Sequence, residues 1–229
     1  MIPVKPYEAA ELRAVTGPAI RPGGLALTLR AAGYCNLSAG GRILDVGCGA
    51  GATLENLRQR FPVLALGVDL SGTLLAEARR SHPGLRLVRG DAGALPLAPG
   101  QFGTLFCECV LSLLPHPARA LGEFKRVLAP AGNLVVADLY RRRPRAGAPA
   151  GGGCVRGAVL REKLIQWLES AGFELKVWED HSRLLKILAA QLVWAGISIK
   201  DLWGLDCSSV PSGAGSPWGY GLLVARKRS

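Results

Sequence analysis

Ile43-Leu44-Asp45-Val46-Gly47-Cys48-Gly49-Ala50-Gly51 is a short apolar run that carries an aspartate, then glycines at every second position, then helix-forming residues. Strand, tight glycine turn and helix start make the ligand-cradling entry of an open α/β sheet. Without a Cβ the backbone approaches a ligand closely, and the first helical turn offers unpaired N–H donors. The spacing is G-x-G-x-G, not the G-x-G-x-x-G of dinucleotide binders. That difference favours a nucleoside cofactor without a pyrophosphate.

Working outward, Arg42–Val46 is the first strand and Ala52–Arg60 its helix. Val63–Leu70 reads as a second buried strand carrying Asp69, 22 positions after Gly47, where a carboxylate can take both ribose hydroxyls. The same aspartate also suits the start of the next helix, which Ser71 can cap. Leu85–Val88 is a third strand, and in Gly90-Asp91-Ala92 the aspartate can accept from an adenine amino group. Acidic residues at three successive strand ends, with the glycine turn, point to S-adenosyl-L-methionine (SAM). Thr104–Cys109 and Asn133–Leu139 follow as strands, with a helix at Pro117–Leu128 between them.

Pro3 to Asn36 reads as a helical preface broken at Gly17-Pro18 and Pro22-Gly23-Gly24. Beyond Tyr140 a segment rich in Arg, Pro, Ala and Gly, Arg141–Gly153, precedes a helix at Val159–Ala171 and a strand at Phe173–Asp180. A helix from Ser182 to about Trp203, an irregular stretch at Cys207–Ser216 and a last strand at Tyr220–Arg226 complete the chain. The alternation predicts an α/β fold, a mostly parallel sheet with helices on both faces. We expect a single domain over 1–229, with the preface at 1–38, the cofactor-binding core at 40–140 and an acceptor-side or lid region at 141–216.

The 229 residues carry 28 basic and 17 acidic side chains, a net charge of +11, which raises nucleic acid as a partner. Much of the excess is local, in Arg141, Arg142, Arg143 and Arg145 and in Arg226, Lys227 and Arg228. Such runs read as solvated loops and tails, without the aromatic interleaving of a single-strand binder, so nucleic acid is not the expected partner. The first twelve residues lack a signal-peptide core, and the apolar stretch Ile187–Ile199 is too short to span a bilayer. Six cysteines at 35, 48, 107, 109, 154 and 207 show no paired C-x-x-C, so no metal site and reduced thiols in a cytoplasmic protein are expected.

Taken together, Leu44–Gly51, Val68–Ser71, Gly90–Pro96 and Glu123–Gly132 resemble a class I SAM-dependent methyltransferase of the type 11 (UbiE-like) small-molecule family, over about residues 40–140. The resemblance implies a Rossmann-like seven-stranded sheet whose last strand is antiparallel. It also implies that Asp45, Gly47, Cys48 and Gly49 line the methionine end of the cofactor, that Asp69 and Leu70 meet its ribose side, and that Asp91 and Ala92 hold its adenine. Cys109 falls where cofactor-side residues give way to acceptor-facing ones. Two departures stand out: Phe102-Gly103 replaces a common Phe-Asp, and Ser112-Leu113 replaces an aromatic or histidine pair after strand four.

The acceptor chemistry is less legible. Glu108, Cys109, Asp138 and Tyr140 lie at strand ends facing the expected pocket mouth, and each is equally a structural hydrogen-bonding group. Cys154-Val155-Arg156-Gly157-Ala158 locally resembles arsenite methyltransferases, which hold a soft acceptor on separated thiolates. Cys154, Cys207 and one of Cys107 or Cys109 would have to converge for that; otherwise they are small core hydrophobes. His181 suits a cap for the helix that follows. That helix, with Leu184, Leu185, Leu188, Leu192 and Trp194, reads as core packing, a lid or a homodimer face. The expected partner is a small-molecule acceptor. The competing readings are a SAM-binding protein without catalysis and an RNA methyltransferase.

Overall fold

A computed structural model describes residues 6–8, 10–144, 154–199 and 216–228. The apolar runs pair as parallel strands: β1 (Arg42–Val46), β2 (Leu64–Asp69), β3 (Arg86–Arg89), β4 (Phe102–Glu108) and β5 (Leu128–Arg141). β6 (Phe173–Asp180) joins them only through β7 (Trp218–Lys227), which is antiparallel to both of its neighbours. Among the described residues the sheet has seven strands in the order β3-β2-β1-β4-β5-β7-β6, the expected Rossmann-like architecture.

Successive strand residues point to opposite faces, so each central strand feeds two cores. Ile43, Phe106, Val135 and Tyr220 pack on the side that receives α2 (Gly24–Gly33), α3 (Ala52–Arg60) and α8 (Ser182–Trp194). Their neighbours Leu44, Leu105, Leu134 and Leu223 pack on the side covered by α5 (Pro117–Val127) and α7 (Arg161–Ser170). α1 (Ala10–Thr16), α4 (Gly72–Ser81) and the one-turn α6 (Cys154–Gly157) complete the helices. Ser71 caps α4, its Oγ accepting from the Leu74 N–H at 3.1 Å. No helix among the described residues is long and apolar enough to cross a membrane.

Three differences from the sequence reading have physical causes. α8 stops at Trp194 rather than running to about Trp203: Gly196 has φ 72°, and the Ile197 N–H closes back on the Leu192 carbonyl at 2.9 Å. Trp203 and most of Cys207–Ser216 lie outside the described residues. β5 begins at Leu128, opposite Phe102, turns through Ala131 at φ 57°, and resumes pairing at Asn133 opposite Thr104. The unusual Gly103 sits at this register shift, so the departure at Phe102-Gly103 is part of a bulge. Finally, part of the basic runs is structural. Arg226 and Lys227 belong to β7 and donate to the Ala131 and Leu128 carbonyls at 3.2 and 2.6 Å, and Arg142 pairs with Asp180 at 2.5 Å.

The preface is tied to the far sheet edge by Glu179 of β6. Its carboxylate accepts two bonds from Arg30 at 2.6 Å and one from Tyr34 at 2.6 Å, and meets His181 Nε2 at 2.7 Å. His181 occupies the N-cap position of α8 but makes no side-chain cap bond; Asp180 accepts from the Ser182 N–H at 2.8 Å instead. The Arg30 hydrogen bonds, then Tyr34 and His181, pull the Glu179 carboxyl down to about 2 against the opposing effect of burial. A depressed carboxyl stabilises the fold above its ordinary value of 4.5 and loses that contribution as pH falls towards 2. Glu179→Gln is therefore expected to melt about 3 °C below the native chain at pH 6, the gap closing by pH 2. Differential scanning calorimetry across that range checks it; a gap independent of pH contradicts it.

Candidate cofactor site

A pocket of about 430 Å³ opens over the ends of β1, β2 and β4, within the size range of small-molecule sites. Its wall is the glycine turn. Gly47 and Cys48 both donate their N–H groups to the Val68 carbonyl of β2, at 2.8 and 3.2 Å, which hangs the turn on the neighbouring strand. Gly47 has φ 79°, and a Cβ there would lie 2.2 Å from Val110 Cγ2, so only glycine fits. α3 starts at Ala52 behind Gly51 without a side-chain cap, and Ala52 and Thr53 line the pocket.

Asp69 spans two loops. One carboxylate oxygen accepts from the Gly49 N–H and the other from the Ser71 N–H, each at 2.8 Å. Each oxygen keeps a second lone pair, enough for two ribose hydroxyls. Leu70 beside it is 55% exposed, and Leu70, Asp91 and the buried Ala92 line the pocket together. Asp91 Oδ1 is held by the Gly93 N–H at 2.7 Å. Asp45, Gly47, Cys48, Gly49, Asp69, Leu70, Asp91, Ala92 and Cys109 thus all meet around one cavity.

The preface supplies what the sequence reading left without a role. Arg21, between the breakers Gly17-Pro18 and Pro22-Gly23, reaches into the same pocket. Its Nη2 donates to Thr53 Oγ1 at 2.8 Å and to Thr28 Oγ1, and lies 2.9 Å from Glu108 Oε2 as an ion pair. Glu108 also accepts from Thr28 at 2.9 and 3.1 Å and from Thr53 at 3.3 Å. The side chains of Arg21 and Glu108 are 9% and 3% exposed, a nearly dry ion pair. Although burial works against the charge, Glu108 leads a set of neighbours that raises the Arg21 pKa above its ordinary value. Asp45 lines the same pocket, buried at 3% exposure. Burial, and then the Glu108 charge, pushes its pKa well up.

On the acceptor side, Cys109 has φ 56°, an uncommon conformation for a residue with a Cβ, and its Sγ meets the buried Tyr220 hydroxyl at 3.2 Å. Tyr220 also donates to the Ala137 carbonyl at 3.3 Å. Burial, with Asp138 and Cys154 nearby, holds the Cys109 thiol well above its usual pKa, and burial pushes Cys154 up to about 12. Cys107 is fully buried in the opposite core, Cys154 is half-buried and is not among the residues lining the pocket, and Cys207 lies outside the described residues. No group of three potential metal ligands occurs among the described residues.

Two acceptor candidates sit away from the pocket. The Tyr140 hydroxyl donates to Asp180 at 3.0 Å and its ring packs edge-on to Trp178. Asp138 is buried and accepts from the Ser112 N–H and Oγ at 2.9 and 2.6 Å and from the Leu139 N–H at 2.7 Å. Ser112, which stands where the resembled family has an aromatic or histidine, therefore anchors the turn after β4. α6 packs directly on that turn: a Cβ at Gly157 would lie 1.9 Å from the Ser112 carbonyl oxygen. Gly157→Ala is expected to cost about 2 kcal/mol, read as a lower urea midpoint. An unchanged midpoint would mean that α6 moves freely.

The comparisons agree with this geometry. Residues 44–136 match the family model described as "Methyltransferase domain". A trans-aconitate 2-methyltransferase of Methylobacterium nodulans is 34% identical over 62% of this chain and 61% of its own length. A demethylmenaquinone methyltransferase of Renibacterium salmoninarum is 37% identical over 72% of this chain and 71% of its own. Three of the curated relatives are matched over only 41% to 61% of their own lengths. Among solved structures, the [4+2]-cyclase SpnF superposes with a TM-score of 0.75 at 26% identity, over 93% of this chain and 83% of that one. The chain belongs to the class I SAM-dependent methyltransferases of the type 11, UbiE-like family.

Proposed function

We propose that the chain transfers a methyl group from SAM to a small-molecule acceptor by in-line displacement. The observation that carries this reading is the continuity of the cavity. The glycine turn, Asp69 and Asp91 line the same space as Glu108, Cys109 and Val110, so the residues expected at the cofactor and those expected at the acceptor share one cavity. The cofactor supplies a methyl group on a positively charged sulfur, with S-adenosylhomocysteine as co-product. The chain's part is to position and to exclude water. Glu108 is engaged by Arg21, Thr28 and Thr53, and Cys109 is held as a neutral thiol, so neither stands as a free base. The acceptor then arrives in its nucleophilic form, as an amine, enol or thiolate.

The rest of our reading is of one domain, with 40–140 binding the cofactor and 141–216 facing the acceptor. Ile187, Val193 and Trp194, the last 95% exposed, support a homodimer through α8. The buried Cys35, Cys48 and Cys107, packed as small apolar groups, support a cytoplasmic setting. A second reading, SAM binding without methyl transfer, has support in the likeness to a cyclase. The test is incubation with methyl-labelled SAM and a panel of amines, thiols and enols. Label in a small product supports the proposal; tight SAM binding with no transfer to any of them supports the second reading, and label in added RNA contradicts both.

A further inference from the structure

The pocket holds an arginine whose bonding is incomplete and a buried acid. A guanidinium has five N–H donors. The side-chain hydrogen bonds of Arg21 leave from Nη2, and its Nε is fully buried with no acceptor among the described residues. A buried donor without a partner is costly, and it persists where a ligand completes the set. Asp45 is the counterpart, a buried carboxyl that lines the pocket. Both side chains line the one cavity. Around them stand Glu108, which Arg21 neutralises, Thr53 on the first turn of α3, and Asp69 across the glycine turn.

A guanidinium with a buried unpartnered donor and a buried acid on the same pocket match a zwitterion. We propose that Arg21 binds the α-carboxylate of the cofactor's amino-acid end, with Asp45 taking the ammonium, so that the preface is part of the cofactor site. This rests on the SAM reading above and goes beyond the glycine turn and the strand-end acids. Thr53 fixes the place: the guanidinium is bonded to the first turn of α3, where backbone donors already favour an anion. The preface that carries Arg21 is clamped from its other side, by Glu8 accepting from Ser71 Oγ at 2.7 Å and Arg13 pairing with Glu77 at 2.7 Å. Arg21 is accordingly held over the pocket before any ligand arrives. An acceptor carboxylate is the other possible source of the same chemistry, and a titration without acceptor separates the two.

The test is isothermal titration with S-adenosylhomocysteine and with 5′-methylthioadenosine, which keeps the adenosine and thioether but has neither carboxylate nor ammonium. The native chain is expected to prefer S-adenosylhomocysteine by about 100-fold or more. Because Arg21→Met alone strands Glu108, the informative variant is Arg21→Met with Glu108→Gln. It should lose about 30-fold or more of its affinity for S-adenosylhomocysteine and keep that for 5′-methylthioadenosine within about threefold. Glu108→Gln alone should keep the preference. If the double variant retains the preference, or loses both ligands equally, Arg21 does not read the carboxylate and the proposal fails. Equal binding of the two ligands by the native chain overturns it as well, and assigns Arg21 to the acceptor. A native chain that binds neither ligand defeats the SAM reading itself, a different result from any of these.

Discussion

Asp69→Ala is expected to weaken S-adenosylhomocysteine binding by about 100-fold or more while leaving the chain folded. The carboxylate sits at the end of β2 with one oxygen on the Gly49 N–H and the other on the Ser71 N–H. Two ribose hydroxyls would use its remaining lone pairs, and hydrogen bonds to a charged acceptor contribute about 1.5–3 kcal/mol each. The variant also frees the glycine turn from β2, so the turn must be reordered on binding. Asp69 is only partly buried and Ser71 still caps α4, so the cost to folding should stay near 1 kcal/mol. Titration calorimetry with a parallel circular-dichroism melt checks both halves. Native affinity in a folded Asp69→Ala chain would refute the ribose assignment.

Glu108→Ala is expected to act in the opposite way, on stability first. Removing it leaves the Arg21 guanidinium buried without its counter-charge and takes an acceptor from Thr28 and Thr53. Breaking a buried pair from one side costs about 3–5 kcal/mol, because the remaining charge keeps its desolvation penalty. Removing both charges, as in Arg21→Met with Glu108→Gln, should restore most of that loss. Urea denaturation of the single and double variants measures the difference. A single variant as stable as the double would mean that water from the pocket already solvates Arg21.

The cofactor half of the site was legible because its chemistry is local. The bounds of β1, α3 and β6 agree with the pattern of their apolar residues, and Asp69 and Asp91 follow short strands at spacings that carry their own meaning. Arg21 was not legible in the same way. It lies 87 positions before Glu108, and no periodicity relates the two; the one local sign was an arginine set between Gly-Pro and Pro-Gly breakers. Tyr140 shows the limit of reading a strand end. β5 continues to Arg141, and Tyr140 points to the face holding Trp178, while Tyr220 of the antiparallel β7 reaches Cys109 from the other face. Which tyrosine arrives is set by antiparallel register between residues about eighty apart, which the strand pattern of one segment does not contain.

One cavity is expected to hold SAM with its amino-acid end between Arg21 and Asp45 and its nucleoside along β2 and β3. A crystal structure of the native chain with S-adenosylhomocysteine tests it most directly. The ribose hydroxyls are expected on Asp69, the adenine amino group at Asp91 beside Ala92, the carboxylate on Arg21, and the sulfur facing Cys109 and Val110. A ligand bound elsewhere, or one whose ribose does not touch Asp69, would contradict it.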